Sequence, residues 1–80
     1  MLKSHQLLLK YRHDTRYTFC DLQVCYVDRG ALADMSCVNG SEIRALEAYY
    51  FDVASEHGNK YIPYHRIRKI AYAGETIWER

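Results

Sequence analysis

The residues best equipped for chemistry cluster in the last third of this 80-residue chain. Between Gly58 and Gly74 lie four formal positive charges, Lys60, Arg66, Arg68 and Lys69, with no Asp or Glu among them. The same stretch carries Tyr61, Tyr64, His65 and Tyr72. Cationic side chains attract phosphates and flat rings stack on unpaired bases, so this mixture suits a phosphodiester ligand. Tyr64-His65-Arg66 follow Pro63, whose missing N–H favours the start of a helical turn. An imidazole that titrates near neutrality can bind phosphate as a cation or move a proton, and Arg66 adds a permanent charge. The plainer alternative is a half-buried His65 bonded to backbone, with Arg66 in water.

A second candidate is Asp28-Arg29-Gly30, directly after the apolar run Leu22 to Val27. Strand ends display loop residues on a rigid base. A guanidinium fork matches phosphate, a neighbouring carboxylate can orient that fork, and glycine permits close approach of a ligand to backbone. The plainer alternative is a solvated turn. Trp78 could serve as a stacking platform, but the single Trp of a small domain fits better as core. Arg80 is expected to fray.

Composition narrows the classes. With 49% hydrophobic and 26% charged residues the chain is globular rather than disordered. Its length allows one domain, residues 1–80, too small to hold both a large core and a deep catalytic cleft. A net charge of +1 gives no global field for polyanions, so nucleic-acid binding must rest on a local patch. Eight tyrosines suit a half-buried sheet surface with polar tips. Cys20, Cys25 and Cys37 lack the tight spacing of a zinc or redox motif and read as reduced thiols of a cytoplasmic protein, with Cys25 in a buried strand. No histidine–cysteine–carboxylate set has zinc-site spacing, so neither a metal nor another cofactor is expected. Leu7-Leu8-Leu9 is too short for a signal peptide or a membrane span, and no membrane partner is expected.

The elements that must position these groups follow from periodicity. Residues 2–12 read as a helix with Ser4 as N-cap, Leu7, Leu8 and Tyr11 on one face, and Lys3, Lys10 and Arg12 in solvent. Residues 22–27 form the clearest strand, residues 31–34 a loop, and residues 35–38 a second strand stopped by Asn39-Gly40. Ser41 reads as the N-cap of a single turn holding Glu42, Ile43 and Leu46. Residues 48–53 form a third strand, 55–60 a polar turn, and 61–62 a short strand. Ile67 and Ile70 are three apart, which predicts that the Pro63 turn persists to Ile67. Residues 69–72 and 76–79 form a hairpin about Ala73-Gly74. The expected class is α+β: a small, mostly antiparallel β-sheet over about 20–80 with one N-terminal helix packed on it.

Taken together, Tyr26-Val27-Asp28-Arg29-Gly30-Ala31, Ile62-Pro63-Tyr64-His65-Arg66-Ile67 and Gly74-Glu75-Thr76-Ile77-Trp78-Glu79-Arg80 resemble the RNA cyclic group end recognition domain family of small, mostly archaeal proteins. Nearly the whole chain takes part, and the C-terminal block is the specific portion. Two departures are His13-Asp14, where an aromatic usually precedes the Asp, and Ala31-Leu32-Ala33-Asp34, which lacks the family's Pro-Gly turn. The resemblance implies a module that binds RNA termini, a 2′,3′-cyclic phosphate or related phosphate end, in the company of RNA-processing or repair enzymes. In that picture Arg29 and Arg66 hold phosphate, Asp28 orients Arg29, Gly30 lets the ligand approach, and His65 donates a hydrogen bond. Tyr64 stacks or hydrogen-bonds, and Arg68 and Lys69 add attraction to the backbone. A non-catalytic binder is favoured because the candidates are mostly cations. The alternatives are a phosphoesterase acting on RNA ends, with His65 as acid or base and Asp28 as its partner, or a protein-interaction subunit. A homodimer through exposed sheet edges stays open.

Overall fold

The structure is a computed structural model describing residues 2–56 and 58–80. It is an α+β fold: helix α1 (Lys3–His13) is followed, among the described residues, by seven antiparallel strands. These are β1 (Leu22–Val27), β2 (Met35–Asn39), β3 (Ile43–Leu46), β4 (Tyr50–Ser55), β5 (Gly58–Pro63), β6 (Ile67–Tyr72) and β7 (Glu75–Glu79). They divide into two sheets, β2-β1-β6-β7 and β3-β4-β5. Position 57, inside the expected polar turn, lies outside the described residues.

The core lies where α1 and the two sheets meet. Period-two alternation along β1 turns Leu22, Val24 and Tyr26 inward and leaves Gln23 exposed. β4 does the same with Phe51 and Val53, and the Tyr26 and Phe51 rings meet edge-on at 6.4 Å, linking the sheets. Leu8 and Tyr11 of α1 join this cluster. Lys10, Arg12 and His13 in the last turn of the helix complement its dipole.

Ile67 and Ile70 are both fully buried on β6 despite their spacing of three. The reason is a β-bulge rather than a prolonged turn. Cys25 pairs with Lys69 and Tyr26 with Ile67, so Arg68 is the extra residue on β6. The Pro63 turn itself is a short 3-10 helix, Tyr64–Arg66, and ends before Ile67.

Other expectations shift locally. Ser4 is not an N-cap. Leu2 holds that position, and Ser4 sits on the buried helix face, 1% exposed, because the inward stripe of His5, Leu8 and Tyr11 continues through it. Ser41 is not a cap either. Asn39 begins a 3-10 turn at Gly40–Glu42, and its N–H donates to the Glu42 carboxylate at 3.1 Å. Ile43 and Leu46 then extend as β3 and pair with Val53 and Phe51. The third expected strand begins at Tyr50 rather than Ala48, since the β3–β4 connection closes with the Glu47 N–H bonded to the Tyr50 carbonyl. The short strand at 61–62 spans Gly58–Pro63, paired along its length with β4.

Cysteine is the clearest correction. Cys25 and Cys37 are joined in a disulfide, not reduced, and Cys20 is free and exposed. A separation of 12 residues hides a direct cross-strand pairing of β1 and β2. Cys25 is half-buried on the outer side of its strand. The hairpin, by contrast, forms as expected around Ala73 and Gly74, both at positive φ. Trp78 is half-buried against the core, opposite Ile70. No described helix is long and apolar enough to cross a membrane.

Candidate functional site

Antiparallel pairing of β1 with β6 sets the end of one strand beside the start of the other. The loop after β1 and the turn before β6 are therefore neighbours, although more than thirty residues separate them in sequence. Arg29 comes from the loop, His65 and Arg66 from the 3-10 turn, and Arg68 from the bulge. With Val27 these four line a cleft of about 290 Å³. A bulge re-aims the side chain it carries, and here it serves a residue beside the cleft.

No carboxylate lines this cleft. Arg29, Arg66 and Arg68 are exposed, and none has a carboxylate oxygen within 4.0 Å among the described residues. Only the longer-range attraction of Asp28 reaches Arg66, so no direct ion pair occupies these guanidiniums and they are free to meet an external anion.

Asp28 takes a different role from the one its position suggests. Its carboxylate does not orient Arg29. It accepts from Ser36 Oγ at 2.6 Å and from Lys60 Nζ at 3.2 Å. These two hydrogen bonds hold the Asp28 carboxyl below the usual carboxylate range. The pair uses up the charge of Lys60, which lies over the Tyr26 ring at 5.4 Å. Asp28 is likewise not a hydrogen-bond partner of His65.

Gly30 takes φ +94°, a conformation that side chains with a Cβ rarely adopt, and a Cβ there would meet open space. Its N–H donates to Asp34 Oδ1 at 3.4 Å, while Asp28 and Asp34 close the loop through a 2.8 Å backbone bond. Ala33 and Asp34 both take positive φ, so this loop turns without glycine or proline at those positions.

Tyr64 does not reach the cleft. It is 2% exposed, its ring lies between His5 and Phe51, and its hydroxyl donates to the Glu47 carbonyl at 2.7 Å. Burial, with Glu47 nearby, pushes the Tyr64 phenol up to about 12, so it remains a neutral donor. Tyr72 acts similarly, its hydroxyl accepting from the Thr18 N–H at 2.8 Å. These tyrosine tips tie irregular segments to the sheets. Lys69, on β6, pairs across the sheet with Cys25 and Glu79 and is not among the cleft residues.

Arg80 does not fray as a chain end but supports the cleft. It donates from Nη1 to the His65 carbonyl at 3.0 Å. Its proximity follows from β7 running antiparallel to β6, a pairing the hairpin signal already implied. Among the described residues no group of three His, Cys, Asp or Glu side chains could hold a metal ion.

The architecture is thus a small two-sheet α+β domain displaying a cluster of exposed arginines without direct ion pairs at one strand end. Residues 1–80 match the family model of the MJ1316 RNA cyclic group end recognition domain, and the chain belongs to that family. A UPF0248 protein of Thermococcus onnurineus (strain NA1) is 32% identical over 75 residues, a match covering 92% of this chain and 80% of its relative. No solved structure matches.

Proposed function

We propose that this domain binds RNA at a phosphate-bearing terminus, a 2′,3′-cyclic phosphate or a related phosphate end, in the cleft of Arg29, His65, Arg66 and Arg68. The observation that carries the reading is the convergence of these four side chains, from two distant segments, with no carboxylate among them. The family's name supplies the ligand class. Arg29 and Arg66 hold phosphate oxygens, His65 donates to a phosphate or sugar oxygen, and Arg68 adds attraction to the neighbouring backbone. The cleft is small, which suits one compact anion rather than a duplex groove. Asp28 contributes by fixing the loop that carries Arg29, through Ser36 and Lys60, and Gly30 by turning that loop.

The test is a comparison of ends. Oligoribonucleotides of one sequence, ending in a 2′,3′-cyclic phosphate, a 3′-phosphate or a 3′-hydroxyl, are titrated against the protein by fluorescence anisotropy. The phosphate-bearing ends should bind more tightly than the hydroxyl. Equal affinity for all three would remove end recognition. Hydrolysis of the cyclic end that disappears in His65→Ala but survives in Arg68→Ala would reassign the site to a phosphoesterase.

A further inference from the structure

A larger groove of about 780 Å³ adjoins the arginine cleft, and His65 lines both. Its volume falls within the roughly 300–1,000 Å³ typical of small-ligand sites. Its character is different: Tyr49, Tyr50, Pro63 and Tyr64 dominate, and no Lys, Arg, Asp or Glu lines it. Tyr49 is 84% exposed, yet its backbone is anchored, its carbonyl accepting from the Tyr64 N–H at 3.4 Å. A ring so exposed does little for the core, and its fixed backbone keeps it at the groove.

His5 of α1 also lines this groove. It is 6% exposed, and its ring stacks on Tyr64 with centroids 3.9 Å apart and planes at 12°. Neither ring nitrogen has a hydrogen-bond partner among the described residues. The buried side-chain atoms without a partner are Ser4 Oγ and Asp52 Oδ1 among the described residues and not the His5 nitrogens, so this imidazole, though its ring is packed, keeps an edge accessible at the groove wall where a ligand can bond to it. Aromatic walls with one uncharged edge that both donates and accepts suit a planar heteroaromatic ring, and exclude a bare anion.

We propose that this groove takes the nucleobase next to the phosphate held in the arginine cleft, stacked on the exposed tyrosines with His5 addressing its edge. The proposal rests on the RNA-end reading above. The shared residue, His65, sets the two subsites side by side, so one nucleotide can occupy both. Single-stranded ends are the substrate class this implies, since a base held in a duplex stack could not enter.

The experiment compares two phosphate-terminated oligoribonucleotides, one intact and one whose terminal ribose lacks its base. Wild-type protein should bind the abasic end about 5- to 150-fold more weakly, the range set by loss of one stacked base. Tyr49→Ala should weaken binding of the intact end by a similar factor and leave the abasic end unchanged. His5→Phe, which keeps a ring against Tyr64, should also weaken only the intact end. Equal affinity of wild type for both ends, with Arg29→Ala still weakening both, would overturn the base subsite while sparing the phosphate site. Failure of wild type to bind any phosphate-terminated RNA would overturn both. A wild-type dimer that Tyr49→Ala dissociates, with RNA affinity unchanged, would assign the groove to a second copy of the chain and overturn the proposal.

Discussion

Arg80 reaches from the end of β7 to the turn before β6, where its Nη1 donates to the His65 carbonyl oxygen at 3.0 Å. Its own N–H bonds the Arg68 carbonyl at 2.9 Å, extending the β6–β7 ladder by one residue. One residue thus ties together two that line the arginine cleft, holding His65 through its side chain and Arg68 through its backbone. Removing that side chain frees a carbonyl of the exposed turn and loosens His65 rather than deleting a ligand contact. Arg80→Ala should lower RNA-end affinity about 3- to 10-fold, near 1 kcal/mol for one hydrogen bond. Arg80→Lys, which can still donate, should recover part of the loss. A matching loss in Arg80→Ala and Arg80→Lys would instead point to direct contact between the guanidinium and RNA.

Arg29 and Arg66 approach the cleft from segments joined only by strand pairing. Arg29→Ala and Arg66→Ala should each weaken binding of a phosphate-terminated oligoribonucleotide by roughly 1–3 kcal/mol, the scale of a lost charged hydrogen bond. Each should also flatten the dependence of log K on log salt by about one unit, because one fewer counterion is released. Melting temperatures should stay near wild type, as both side chains are exposed and neither has a carboxylate within 4.0 Å among the described residues. Unaltered affinity in both variants would remove the site.

Much of this fold is legible in the sequence. Alternation in Leu22–Val27, the Pro63 turn and the Ala73-Gly74 hairpin each rest on local chemistry, and each forms. What escaped depended on pairing between distant segments. The spacing of Ile67 and Ile70 predicted an irregularity, but only the partner strand reveals that it is a bulge at Arg68. Asp28 sits beside Arg29 in sequence, yet its carboxylate is claimed by Ser36 and Lys60, the latter 32 residues away. The division into two sheets was equally hidden, because no local pattern says which strand pairs with which. Nothing in the sequence marks His5 or Tyr49 as a site residue, because one falls in the expected helix and the other in the expected strand 48–53, and only packing makes them neighbours of Tyr64.

Cys25 and Cys37 face each other across β1 and β2, and Cys20 is free. Alkylation of the denatured protein without reductant should therefore modify one cysteine, and the intact mass should be two hydrogens below the fully reduced value. The bridge closes a short loop, so reduction should destabilise the protein by roughly 2–3 kcal/mol on the chain-entropy scale. Three alkylated cysteines, or a melting temperature indifferent to reductant, would contradict the pairing.

Gly40 tests the packing around the turn before β3. It is buried, and a Cβ built on it would collide with the backbone carbonyl of Phe19. Neither partner is a flexible side-chain end, so the chain must move to relieve the clash. Gly40→Ala should cost about 3 kcal/mol or more by urea unfolding. Gly30→Ala, whose Cβ would meet open space at φ +94°, should cost only about 1 kcal/mol from backbone strain. The reverse order would show that the two turns had been misjudged.

His5 gives the fold a signed pH dependence. Burial lowers its pKa from 6.5, so the folded state holds the neutral ring at a pH where the unfolded chain has begun to bind a proton. Stability therefore rises with pH wherever the unfolded state carries more protons. The contribution is fully present above 6.5 and is lost progressively as pH falls towards and through the folded-state value. Urea midpoints measured from about pH 8 to about pH 5 should fall more steeply for wild type than for His5→Phe, which stacks on Tyr64 but cannot titrate. Parallel curves would mean that His5 is not held neutral by its burial. Since the same unpaired imidazole is the polar edge of the proposed base subsite, a base-bearing RNA end that binds the neutral ring should raise the midpoints and steepen their fall with falling pH in wild type, because it lowers further the protons held by the folded state. An abasic end should not do so to the same extent.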